Sequence, residues 1–102
     1  RRIMPRRFSR RPCAKTLLPS DIRLPARPML GCIGVAPAGE QVETSGPSAS
    51  HGGNMDYNDV VEGATLYFPV SHKGAFFYVG DGHALQGDGE GLGNGVETSL
   101  DV

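Results

Sequence analysis

Along the chain, apolar positions gather in a few short runs broken by glycine and proline. Leu24-Pro-Ala-Arg-Pro28 reads as extended chain, because each residue before a proline is pushed out of the helical region. It leads into Met29-Leu-Gly-Cys-Ile-Gly-Val-Ala-Pro37, where apolar residues interspersed with glycines predict a buried strand closely approached by another backbone. Ala38 to Ser50 is polar, carries Gly39, Gly46 and Pro47, and predicts a surface loop. From Ala64 to Val70, Leu66, Phe68 and Val70 alternate with Thr65, Tyr67 and Pro69, which is strand periodicity. Ser71-His-Lys-Gly74 predicts a turn and Ala75 to Val79 a second strand, so that 64–79 is expected to form a β-hairpin. Between these stretches, Asn58 or Asp59 could cap a single helical turn ending at Gly63. Val96 to Val102 alternates again and predicts a last strand, within which the chain stops.

Composition agrees with short strands and long loops. Glycine and proline make up nearly a quarter of the 102 residues, Trp is absent, and aromatic residues are 7%. That balance argues against a helical bundle and predicts an all-β fold of at most one domain with a small core. There is no internal repeat, and no stretch approaches the roughly 20 apolar residues of a membrane span. Cys13 and Cys32 are not at metal-ligand spacing, and no signal-type apolar run precedes them, so a reduced cytoplasmic protein is expected.

The formal net charge of −1 hides an asymmetry. Seven of the ten Lys and Arg fall within the first fifteen residues, and all eleven acids follow position 20. For residues 1–21, with Pro5, Pro12 and Pro19, three readings compete: a basic disordered tail, a cationic nucleic-acid or targeting segment, and a stretch outside the native reading frame. The first is preferred. The acidic remainder suits cation binding and does not suit a DNA-binding face, so no nucleic-acid partner is expected.

The chemistry concentrates in Gly80-Asp-Gly-His-Ala-Leu-Gln-Gly-Asp-Gly-Glu-Gly91. Crowded acids repel one another, and a bound cation removes that penalty. Asp81 and His83 are two residues apart, as are Asp88 and Glu90, and in extended backbone such pairs project to one face. An inert Gly-Asp turn is the competing reading. EF-hand spacing fails from Asp81 and from Asp88, and mixed imidazole and carboxylate donors suit Zn, Mn or Fe better than an all-oxygen Ca site. His51-Gly-Gly-Asn54 resembles a lipase oxyanion loop, but no Gly-x-Ser-x-Gly elbow accompanies it. Asp56 adds a carboxylate that could converge on the acidic stretch. His51 is a weak ligand candidate, His72 is expected to be exposed in a turn, and Cys32 is expected to be a small core residue.

Taken together, Met29–Pro37, Gly52-Gly-Asn-Met-Asp56, Gly63-Ala-Thr-Leu-Tyr-Phe-Pro-Val70, Gly80-Asp-Gly-His-Ala-Leu-Gln-Gly-Asp-Gly-Glu90 and Glu97-Thr-Ser-Leu-Asp-Val102 resemble the acetamidase/formamidase family, in order and spacing, from about Ile22 onward. The resemblance implies a β-sandwich-like fold, a bound divalent metal (zinc, with Ca or Mn as alternatives) and hydrolysis of short-chain linear amides to carboxylate and ammonia. It makes Asp56, Asp81 and His83 metal ligands or close neighbours of the metal. Glu90 and, second to it, Asp88 become candidates for the general base, and Gly52, Gly53 and Asn54 candidates for holding the substrate carbonyl. Family members are roughly three times this length. Residues 22–102 are therefore expected to be a partial domain, homo-oligomeric in the full-length form. The alternative is an inactive fragment serving at most as a cation-binding or association module.

Overall fold

The computed structural model describes residues 24–102; the basic segment expected over 1–21 lies outside them. Four strands follow in order: β1 (Met29–Gly34), β2 (Gly52–Asn54), β3 (Tyr78–Leu85) and β4 (Val96–Glu97). They form one antiparallel sheet of order β2-β1-β3-β4, so the chain is all-β, and no helix occurs among the described residues.

β1 lies at the centre because it is the most apolar run. Cys32, Ile33 and Gly34 pair with Asn54, Gly53 and Gly52, and the other edge pairs with β3 from Met29↔His83 to Gly34↔Tyr78. Beyond β2, the same edge of β1 is continued by Leu30 N–H donating to Val60 O at 3.0 Å and by a bridge between Met29 and Val61. Among the described residues, Met29, Cys32, Ile33, Val35 and Val60 form the buried apolar core. A fully buried side chain of this size contributes about 1.5–3 kcal/mol, so five of them make a modest core.

Glycine permits the closeness of β1 and β2. Gly52 and Gly53 have φ of 99° and 120°, and a Cβ on either would run into backbone, of Ile33 and Gly34 in one case and of Pro47 in the other. At the outer end, Arg27 N–H donates to Ala84 O at 2.8 Å. The Arg27 guanidinium pairs with Asp59 at 2.7 Å and holds that exposed carboxyl below its usual range.

The structure departs from the sequence pattern in four places. Residues 64–70 join no ladder, and the expected 64–79 hairpin does not form. Ala75 and Phe76 instead adopt left-handed φ of 63° and 49°, closing a turn over 72–76 that alternation cannot encode, and the strand begins only at Tyr78. Residues 57–64 make two consecutive turns (Val60 N–H to Tyr57 O, Ala64 N–H to Val61 O) rather than one capped helical turn. The last strand is confined to Val96–Glu97, extended by Thr98 N–H donating to Gly82 O at 2.7 Å. His72 is half-buried, not exposed, its Nε2 2.8 Å from Pro37 O.

Candidate metal centre

His83 organises the site. It sits in β3 between Met29 of β1 and Glu97 of β4, and its side chain is 0% exposed. Its Nε2 lies 3.1 Å from Asp81 Oδ1 and 3.8 Å from Asp56 Oδ1, and its Nδ1 lies 3.7 Å from Glu90 Oε1. Three carboxylates therefore surround one imidazole, and among the described residues no Lys or Arg pairs with any of them.

Asp81 comes from the middle of β3 but has φ of 56°, and Asp56, just beyond β2, has φ of 44°. Left-handed backbone is costly for most residues and tolerated best by Asn and Asp. Such strain persists where surrounding contacts enforce it. For Asp56 those contacts are visible. Its N–H donates to Gly31 O at 3.0 Å, its C=O accepts from Gln86 Nε2, and its Oδ2 accepts from Asn54 Nδ2. Asn54 is held in turn by N–H donation to Ser45 O and by Ser48 Oγ donating to its C=O, each at 2.8 Å.

Two glycines make room for the cluster. A Cβ on Gly31 would collide with the Asp81 and Asp56 carboxylates, and one on Gly95 would press on the His83 ring beside Glu90. The centre is thus a cradle floored by β1 and walled by the 90–95 turn. Cys32 lies in the floor, its Sγ 3.7 Å from Ser45 O. Burial chiefly raises its thiol pKa, and the charges of Asp81 and Asp56 push in the same direction, so it stays a neutral core residue as expected.

Burial also dominates at Asp56. Together with the charge of Glu90 and contact with Asp81 it lifts the carboxyl to about 6, partly offset by His83. Asp56 Oδ1, both ring nitrogens of His83, Glu90 Oε1 and Gln86 Oε1 are buried without a hydrogen-bond partner. Buried polar atoms are ordinarily satisfied, which sets these five, on Asp56, His83, Gln86 and Glu90, apart from the rest of the interior. Two sets of donors stand close enough to share a cation, Asp56–His83–Glu90 and Asp81–His83–Glu97. One imidazole with several carboxylates is a mixed donor set of the kind divalent cations take.

Of the residues expected at the site, Asp56, Asp81, His83 and Glu90 come together and Asn54 adjoins them. Asp88 does not join: it is exposed and accepts from Asn58 Nδ2 at 3.4 Å. Gly52 and Gly53 are buried in the β1–β2 contact, and the Gly52 N–H is engaged by Ala49 O at 3.0 Å. His51 is buried at the entry to β2, outside either donor set. Gly31, Gly95, Gln86 and Glu97 are further members of the site. Gln86 and Glu97 stood inside quoted motifs without a role. Gly31 and Gly95 act by lacking a side chain, which only the packing reveals.

An all-β sheet carrying a buried histidine ringed by acids defines a class of candidate metallo-centre. The family model for acetamidase/formamidase matches residues 38–100. The chain belongs to the acetamidase/formamidase family. A formamidase of Methylophilus methylotrophus is 46% identical over 44 residues, 43% of this chain and 11% of that one. Among solved structures, a predicted acetamidase/formamidase from the thermophile Thermoanaerobacter tengcongensis superposes with a TM-score of 0.74 at 49% identity, covering 79% of this chain and 27% of that one. An acetamidase from Bacillus halodurans gives 0.73 at 48%, covering 78% and 26%. The chain thus spans about a quarter of the length of these solved relatives.

Proposed function

We propose that this chain carries the metal-holding part of a hydrolase acting on short linear amides of the formamide or acetamide type. The observation that carries the reading is the set of unpartnered buried atoms on Asp56, His83 and Glu90; family membership gives the amide chemistry. Asp56, Asp81 and His83 would hold a divalent ion, zinc by the donor set. When bound, such an ion supplies a Lewis acid for the amide carbonyl and acidifies water.

The remaining work falls to the protein's own groups. Asn54 fixes the Asp56 carboxylate with one amide hydrogen and has a second to offer a carbonyl oxygen. In hydrolysis, water oxygen bonds to the carbonyl carbon, the C–N bond breaks, and one proton of the water goes to the departing nitrogen, giving ammonia and the carboxylic acid, whose own proton then passes to ammonia or solvent to leave the carboxylate. General acid–base catalysis assigns that proton to a positioned carboxyl. Glu90 and Glu97 are the two further acids at His83.

Ammonia release from formamide and acetamide by the 102-residue chain, with metal content measured on the same sample, tests the reading. Turnover that requires bound metal and disappears in His83→Ala and Asp81→Ala is the expected result. Turnover unaffected by chelation and by both substitutions would overturn it. A second reading, a cation-binding module without turnover, is favoured by the quarter-length span against the solved relatives. It predicts metal uptake lost in the same variants and no ammonia.

A further inference from the structure

The two ring nitrogens of His83 face different surroundings. Nε2 lies 3.1 Å from Asp81 and 3.8 Å from Asp56, whereas Nδ1 lies 3.7 Å from Glu90, a carboxylate that also stands within cation-sharing reach of Asp56. One imidazole gives an ion one lone pair, and the nitrogen carrying the proton cannot be the donor. The side with two convergent carboxylates is the side on which an ion gathers charge and ligands. The other nitrogen is then an N–H, and a buried N–H needs an acceptor.

We infer that Glu90 is a positioning residue, holding His83 through Nδ1–H so that Nε2 is presented to the cation beside Asp56 and Asp81. The inference rests on the proposed metal centre and gives one of its acids a different task from proton transfer.

Two further observations support it. Glu90 Oε1 and His83 Nδ1 are both buried and both lack any other partner, so each is the acceptor or donor the other needs. The inference requires their 3.7 Å separation, longer than a hydrogen bond, to shorten when the cation binds. Finally, the Gly95 backbone packs against that side of the ring, where a Cβ would meet both His83 Nδ1 and Glu90 Oε1. A ligating histidine held by a carboxylate on its second nitrogen is a general arrangement that fixes tautomer and ring orientation, and losing the carboxylate costs about 10–100-fold in metal affinity. Glu97, exposed and opposite His83 in the β3–β4 pairing, is left as the further acid with access to solvent.

The test uses zinc and the full 102-residue chain, comparing parent, Glu90→Ala, Glu90→Gln and His83→Ala. Zinc affinity is read by competition with a chromophoric chelator, and the His83 tautomer in the zinc-loaded protein by 15N chemical shifts of the ring. The expected result is Nδ1–H with zinc on Nε2 in the parent. Affinity should fall about 10–100-fold in Glu90→Ala and recover most of the way in Glu90→Gln, whose amide oxygen still accepts from Nδ1–H. Unchanged affinity in Glu90→Ala overturns the inference while leaving the centre intact. So does zinc bound on Nδ1, or a Glu90→Gln loss as deep as that of Glu90→Ala, which would make Glu90 a ligand. If the parent takes up zinc no better than His83→Ala, the centre itself falls, and the inference with it.

Discussion

Two halves of the described chain follow opposite rules. The strip formed by β1 and β3 is laddered along its length and buries Met29 and His83 opposite each other. The segment from 64 to 77 alternates over 64–70, yet it joins no ladder and leaves Leu66, Tyr67, Val70, Phe76 and Phe77 exposed. Alternation prepares a strand, but a ladder partner and a covering layer make one. The strip with glycines inside it found both, because Gly31 and Gly34 let neighbouring groups come close. The comparison teaches that the glycine-bearing strip carries the ladder among the described residues, while the aromatic stretch is exposed in them.

The comparison breaks most sharply at matched truncations. Met29→Ala should destabilise the chain by about 2–5 kcal/mol, as for other buried Met-to-Ala changes. Tyr67→Ser, at a residue 92% exposed, should stay within about 0.5 kcal/mol. Urea unfolding of both variants measures the contrast, and equal losses would erase the distinction between the halves.

Gly31→Ala is the next largest test. The added methyl must displace the carboxylates of Asp81 and Asp56, at about 1–3 kcal/mol for overpacking. Zinc affinity should fall well beyond what that stability loss explains, whereas Gly74→Ala, strained by a φ of 88° in the 72–76 turn but meeting no neighbour, should lower stability and leave zinc affinity unchanged. Titration of the two variants with zinc separates a cradle glycine from a turn glycine.

The pH dependence is subtler. The Asp56 carboxyl stands at about 6 in the folded chain against an ordinary 3.8, with burial the leading cause. The native state therefore holds this proton more tightly than the unfolded state. Its contribution to stability is complete below about pH 4 and is lost as pH rises through about 6. In chelator, unfolding curves of the parent should show this decline between those values. Asp56→Asn should flatten it, and saturating zinc should reverse it, because the ionised carboxylate is then the favoured form. A decline that persists in Asp56→Asn would assign it to another group.

Much of the site was legible and less of the fold. Asp81, His83, Glu90 and Asp56 announce themselves because acids and an imidazole are costly together without a counter-charge, and the structure gathers them. The two-residue spacing that worked for Asp81 and His83 did not bring in Asp88, because β3 ends at Leu85 and the chain beyond it turns outward. β1 was legible from its apolar run. The 64–79 hairpin does not form, and the left-handed backbone at Ala75 and Phe76 that replaces it leaves no trace in an apolar pattern. Gly31 and Gly95 were silent for another reason: their contribution is space, defined by residues distant in sequence.

The left-handed turns at Asp56 and Asp81 have a consequence for how the chain meets its environment. An unfolded chain seldom visits that backbone region twice at the right places, and Asp56 and His83 meet only when β1 holds both ends. The donor set therefore exists in the folded molecule and hardly at all outside it. Any ion that selects it drags the folding equilibrium along: a free concentration one hundred times the dissociation constant adds about 2.7 kcal/mol. With so few buried apolar side chains among the described residues, the supply of whichever cation the proposed centre takes would then weigh on how much of the chain is folded at any moment.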